Sequence, residues 1–185
     1  MEVESLRRKY RIHLETPRLL LRPLITEDLG WLARLFADPE VNRFLLEGAA
    51  TPEQSRRFAE AVVSLDLMRF RFGLWAIEDK TTGTVHGWTE LSKLRPWSGP
   101  SDEIGLSYVL GVESWGRGIA TEAAERLLRH AFEVLREDRL LAVIMADNVA
   151  SRRVLEKIGM RSIGNPVDPE MNLEYFHVGQ ALPPV

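Results

Sequence analysis

Two glycines separated by one arginine sit where a strand gives way to a helix with a long apolar stripe. The stretch reads Trp115-Gly116-Arg117-Gly118-Ile119-Ala120-Thr121. The first turn of a helix carries backbone N–H groups without intrahelical partners, and the positive end of the helix dipole lies there. Glycines at 116 and 118 let such groups approach an anion closely, Arg117 adds charge and Thr121 adds a hydroxyl. This constellation can cradle a pyrophosphate; the alternative is a plain glycine turn ahead of a helix. A Walker loop is excluded, because no Gly-Lys-Ser/Thr follows. A dinucleotide fingerprint fits poorly: Thr121 stands in place of the third glycine, and residues 112–115 separate the strand from the loop.

Composition narrows the remaining chemistry. The 185 residues hold no cysteine, which excludes a disulfide framework, a thiolate metal site and an acyl-cysteine intermediate. His13, His86, His130 and His177 show no metal-ligand spacing, so no metal is expected. A net charge of −3 gives no general pull toward nucleic acid. The N-terminal residues lack the apolar core of a secretory signal, and no apolar run approaches the ~18 residues of a membrane span. A cytoplasmic protein is expected, with neither nucleic acid nor membrane as partner. The length fits one domain over 1–185, with 1–14 as an extension and 180–185 as a frayed tail.

The elements that must position the glycine loop are legible from periodicity. Residues 18–24 read as a strand closed by a proline, and Thr26 as a cap for a helix carrying Leu29, Leu32, Leu35 and Phe36. Asp38-Pro39 stops that helix. A second helix starts at Thr51-Pro52, with Phe58, Val62 and Leu65 on its face. Residues 72–77 and 85–94 form a hairpin, 96–100 a loop with Trp97, and 103–110 an alternating strand. The helix after the glycines carries a stripe from Ala120 to Leu135. Residues 140–146 form a strand buried on both faces, 150–158 a helix ended by Gly159, and 161–167 and 173–178 two last strands. This order predicts an α/β (α+β) mixed sheet with helices on both faces.

Three motifs resemble those of the GNAT superfamily of N-acetyltransferases. Gly118, Ile119 and Ala120 match the end of its Q/R-x-x-G-x-G/A signature, with Trp115 in place of Gln or Arg. Trp115-Gly-Arg-Gly-Ile-Ala is similar to the RimJ/RimL-type version. Asn148-Val-Ala-Ser151 leads into Glu156-Lys157-Ile-Gly159-Met160, and Glu15-Thr-Pro-Arg-Leu-Leu-Leu-Arg22-Pro looks like the opening of the same branch. The resemblance spans residues 15–160.

It implies a three-layer fold around a central, mostly antiparallel sheet of about seven strands, with a V-shaped splay that takes pantetheine. Backbone groups of Tyr108, Val109 and Leu110 would pair with the pantetheine amides, Asn148 would hold another of its polar groups, and residues 116–121 would hold the pyrophosphate of acetyl-CoA. The acetyl group would pass directly to an amine, a protein N-terminus or a small amine, in a ternary complex. Glu103 is the first candidate for general base and Glu90 its rival, as base or as anchor for a cationic acceptor; Glu113 reads as solvated. Ser151 would protonate the departing thiolate, because the helix tyrosine used by many family members is replaced by Leu155, with Tyr108 and Tyr175 as fallback donors. Trp75, Trp88 and Trp97 could line an acceptor pocket. Against these stand simpler readings: an exposed strand-end carboxylate for Glu103, helix capping for Asn148 and Ser151, and core packing for the tryptophans. Arg152, Arg153 and Lys157 could meet the ribose phosphate or form a solvated face. A homodimer is plausible by family analogy. The rival functions are a non-catalytic acyl-CoA sensor and a nucleotide-dependent oxidoreductase.

Overall fold

A computed structural model describes residues 12–45, 51–66, 73–94, 103–167 and 170–179. Strand β1 (Leu14–Glu15) is short, and β2 (Leu19–Pro23) buries Leu19 and Leu21 on one face. Helices α1 (Leu29–Ala37), α2 (Pro39–Asn42) and α3 (Pro52–Asp66) follow. Strands β3 (Gly73–Asp79), β4 (Val85–Lys93) and β5 (Ile104–Leu110) form an antiparallel meander. Helix α4 (Ile119–Arg129) crosses over to β6 (Arg139–Met145), and α5 (Val149–Lys157), β7 (Arg161–Gly164) and β8 (Leu173–Gly179) complete the fold.

The strands form one open sheet in the order β1-β2-β3-β4-β5-β6-β8-β7. Every neighbouring pair is antiparallel except β5–β6, which is parallel and joined at a single pair, Gly105 with Leu141. Among the described residues the strands number eight, against the expected about seven; the additional one is the short pairing of Leu14 and Glu15 with Leu21 and Leu20. Those two residues carry no alternating pattern that would mark a strand in sequence.

Alternation along the strands feeds two cores, one on each face. Leu19, Trp75, Ile77, Leu91, Leu106 and Leu140 face the α4–α5 layer, where Ala123, Ala124, Leu127 and Leu155 meet them. Leu24, Leu74, Ala76 and Trp88 face α1 and α3, packing on Leu32, Phe36, Ala59 and Val62. Trp75 and Trp88 are therefore core residues, 4% and 7% exposed. Leu65 belongs to the residues whose side chains are not described, as do the predicted loop at 96–100 and the tail at 180–185.

Three local expectations are corrected. Thr26 does not cap α1; it opens a 3₁₀ turn, and the Asp28 carboxylate accepts the Ile25 N–H at 2.9 Å. Asp38-Pro39 ends α1 but also starts α2, with the Asp38 carboxylate accepting from Glu40 N–H. The apolar stripe after the glycines is α-helical only to Arg129, and residues His130–Val134 form a π-helical turn. Apolar spacing does not report this widening, since the stripe shifts by only one residue.

Beneath α1 lies a buried ion pair. Arg22 donates from Nη1 and Nη2 to the two Asp28 oxygens at 2.8 and 2.9 Å, and from Nε to Glu78 at 2.6 Å. The indole of Trp31 donates to Asp28 at 2.7 Å. Arg22, closing the opening motif, thus ties β2 and β3 to the first helix.

Candidate active site

The glycine turn is built by backbone conformation. Gly116 and Gly118 have φ of 71° and 76°, in the left-handed region that a β-carbon disfavours. Gly118 is the residue preceding the first turn of α4 and has no side chain to cap it. The first intrahelical bond is from Glu122 N–H to the Gly118 carbonyl at 3.0 Å. The N–H groups of Ile119, Ala120 and Thr121 precede that bond and have no helical acceptor. Gly116, Arg117 and Gly118 are exposed, whereas Ile119 and Ala120 anchor the turn in the core. These free N–H groups, at the positive end of the helix dipole, suit a ligand of negative charge. These residues fit a pyrophosphate.

Two braces hold the turn from the strand side. The Trp115 indole donates to the Leu110 carbonyl at 2.9 Å, filling one of the two acceptor positions of this carbonyl and tying the turn to the end of β5. His86, 4% exposed on β4, shares a 2.8 Å hydrogen bond through Nδ1 with the buried Ser114 hydroxyl, pinning the 3₁₀ turn Val112–Ser114. Burial, and then the nearby Arg117 charge, press the His86 pKa down and outweigh the pull of Asp79. Neither His86 nor Ser114 carried a spacing signal in sequence.

From its single bridge the β5–β6 pair opens toward the glycine turn. Tyr108 and Val109 pair with Thr89 and Trp88 of β4, and among the described residues no strand pairs with their other edge. The Tyr108 hydroxyl crosses to α5 and donates to the Ser151 carbonyl at 3.2 Å. Burial pushes the Tyr108 phenol up to about 12, with Ser151 offsetting this in part, so the hydroxyl keeps its proton at neutral pH. Asn148 does cap α5: its Oδ1 accepts the Ser151 N–H at 3.0 Å. Ser151 is the third helical residue, not a cap. Leu155, where the helix tyrosine would be, is buried in the core.

The two candidate carboxylates are placed differently. Glu103 lies before the Gly105–Leu141 bridge, at the closed end of the slot, in an ion pair with Arg139 Nε and Nη2. Glu90 pairs in register with Ser107, beside the opening, and is half-buried on the Trp88 face of the sheet. Ser107 is exposed, while Val109 and Val143 are half-buried. Tyr108 and Ser151 lie on the opposite, α4–α5 face. Glu113 is exposed, and Tyr175 is 1% exposed within β8.

Basic residues also separate. Arg152 turns inward, donating to Glu174 of β8 at 2.7 Å and to the Ala146 carbonyl at 2.8 Å, so it stitches α5 to the sheet and does not reach out toward a phosphate. Arg153 is exposed. Lys157 lines an open recess of about 460 Å³ together with Thr16, Gly118, Thr121 and Arg129, next to the glycine turn.

This arrangement matches known proteins. Residues 18–161 match the acetyltransferase (GNAT) domain family, and the chain belongs to it. It is 31% identical over 152 residues to the uncharacterized N-acetyltransferase YoaA of Bacillus subtilis strain 168, covering 82% of this chain and 84% of that protein. The crystal structure of an acetyltransferase from Agrobacterium tumefaciens superposes with a TM-score of 0.76 at 26% identity, covering 91% and 95% of the two chains. A RimL ribosomal L7/L12 alpha-N-protein acetyltransferase in complex with coenzyme A shares the fold at a TM-score of 0.71 and 15% identity, covering 91% and 98%. The protein is an acyltransferase, and its family uses acetyl-CoA. Among the described residues, no helix is long and apolar enough to cross a membrane.

Proposed function

We propose that this acetyltransferase carries the acetyl group of acetyl-CoA directly to an amine, a protein N-terminus or a small amine, in the manner of the RimJ/RimL branch. The observation that carries this reading is the uncapped glycine turn at the start of α4, in line with the slot that opens beyond the Gly105–Leu141 bridge. Gly116, Arg117, Gly118, Ile119, Ala120 and Thr121 hold the pyrophosphate; Tyr108 and Val109 border the pantetheine arm, and Asn148 offers its amide nitrogen. Lys157 and Arg129 supply positive charge around the adjoining recess. Acetyl-CoA supplies the activated thioester.

The acceptor amine must shed a proton as its nitrogen bonds the acetyl carbon and the carbon–sulfur bond breaks. Glu90 takes that proton from the Trp88 face. Its place beside Ser107, past the bridge, favours it over Glu103, whose carboxylate is held by Arg139. The sulfur receives a proton from the opposite face, from Ser151 or from Tyr108, whose hydroxyl reaches the Ser151 carbonyl there. The WGRGIA form of the glycine turn and the opening motif at 15–23 support the RimJ/RimL assignment.

Isothermal titration with acetyl-CoA, repeated with NADPH, tests the donor; an amine and peptide panel then reads CoA release. Binding of NADPH alone would overturn the reading. Glu90→Gln is expected to lower kcat on the order of 10²-fold with acetyl-CoA affinity unchanged, and Glu103→Gln to do far less. The reverse ranking would move the base to Glu103.

A further inference from the structure

Three donors converge on one carboxylate at the start of α4. Glu122 Oε1 accepts from the Thr16 hydroxyl at 2.5 Å and from the Arg18 N–H at 3.0 Å, and Oε2 accepts from Arg18 Nε at 2.7 Å. The same guanidinium donates from Nη1 to the Arg117 carbonyl at 3.3 Å. Leu19 N–H in turn fixes the Thr16 hydroxyl at 2.8 Å, so the acceptor geometry is set by the chain entering β2. Arg117, Gly118 and Glu122 are the very residues of the proposed pyrophosphate turn and the first turn that follows.

Two physical consequences follow from this clasp. A carboxylate in the first turn favours the helix dipole but repels an incoming pyrophosphate, and Arg18 neutralises it. With Nε and Nη1 both engaged, the fork can present its remaining edge only one way. Nη2 has no protein partner among the described residues, and it lies 3.6 Å from where a β-carbon on Gly118 would sit. A guanidinium so fixed suits a phosphate oxygen, because planar N–H donors match its geometry.

We propose that Arg18, clamped by Glu122 and Thr16, is a positioning residue for acetyl-CoA: it holds the Arg117–Gly118 turn in register and offers Nη2 to the pyrophosphate. This rests on the donor site proposed above. It assigns the Thr16-Pro17-Arg18 part of the opening motif to donor affinity, 99 residues upstream of the Arg117 it touches.

The test compares two acetyl donors on the full chain. Wild type must first bind and turn over acetyl-CoA; if it does not, the donor reading itself falls, before Arg18 is in question. For Arg18→Ala, KM for acetyl-CoA should rise on the order of tenfold with kcat within about twofold. KM for S-acetyl-pantetheine, which has no pyrophosphate, should stay at the wild-type value. Arg18→Lys should recover part of the acetyl-CoA affinity, and melting curves of both variants show whether the fold is retained. An equal loss with both donors would reduce Arg18 to a fold-holding role, and no loss with either would remove it from the site; both results overturn the proposal.

Discussion

Gly87→Ala should unfold the protein well below the wild-type melting temperature. A β-carbon at position 87 would lie 2.0 Å from the Val109 carbonyl oxygen and 2.8 Å from the Leu110 Cα. Both obstacles are backbone, so no rotamer change relieves the clash. Gly87 sits between β3 and β5, paired with Ile77 and Leu110, where strand separation breaks two ladders at once. Overpacking a core site costs roughly 1–3 kcal/mol, and the fixed backbone puts this site at the upper end. For a domain of this size that corresponds to a fall on the order of 6–12 °C in Tm. Val109 is also proposed to border the pantetheine arm, so a variant that displaces it should bind acetyl-CoA more weakly even at temperatures where it is folded. A melting curve within a degree or two of wild type would show that β5 can shift without cost and that the slot does not depend on this contact.

The second large effect lies under α1. Asp28 is 3% exposed and accepts from Arg22 twice, from the Ile25 N–H and from the Trp31 indole. Burial raises the Asp28 pKa, but the hydrogen bonds from Arg22, Trp31 and Ile25 win and hold it below the ordinary carboxylate value. Asp28→Asn keeps the shape and removes the charge, turning an amide donor toward a guanidinium and an indole N–H. Removing one partner of a buried pair costs about 3–5 kcal/mol, because the other charge stays buried. Glu78 still faces Arg22, which places the expected loss at about 3 kcal/mol. The pH dependence has a definite sign. A carboxylate whose folded pKa is depressed contributes stability that is complete above its unfolded value near 3.9 and fades as pH falls through the folded value. The gap in Tm between wild type and Asp28→Asn should therefore be widest at neutral pH and close below about pH 4. A constant gap down to pH 2.5 would mean that packing, not charge, is what Asp28 supplies.

Periodicity made the order of elements readable, because Leu, Ile and Val at spacings of two or about three and a half residues decide which face is buried. The glycine turn was readable for a different reason: Gly116 and Gly118 adopt backbone angles that few residues tolerate, so the chemistry is written locally. Contacts that join distant segments left no such trace. Arg22 with Asp28, Arg152 with Glu174 and Glu103 with Arg139 are each made by the fold, and nothing in a single sequence distinguishes these charges from solvated ones. By sequence Arg152 fits a phosphate contact and a solvated face equally, whereas its partner in the fold is the buried Glu174. Glu103 and Glu90 illustrate the same limit: the strand start at 103 is legible, but where each carboxylate lies relative to the β5–β6 bridge is a property of pairing. The Arg18 clasp is of the same kind.

The single bridge between β5 and β6 divides the sheet into two plates, β1–β5 and β6–β8, each sewn by antiparallel ladders and joined through α4. Tyr108 and the glycine turn belong to the first plate, Asn148 and Ser151 to the segment attached to the second. An acetyl-CoA held by both sets of residues would be a mortar between the plates as well as a reactant. By thermodynamic linkage, a ligand that binds only the joined form adds RT ln(1 + [L]/Kd) to its stability, about 2.7 kcal/mol at a hundredfold excess over Kd. The concentration of donor would then govern not only the rate of acetylation but also how much of the enzyme survives as an intact sheet.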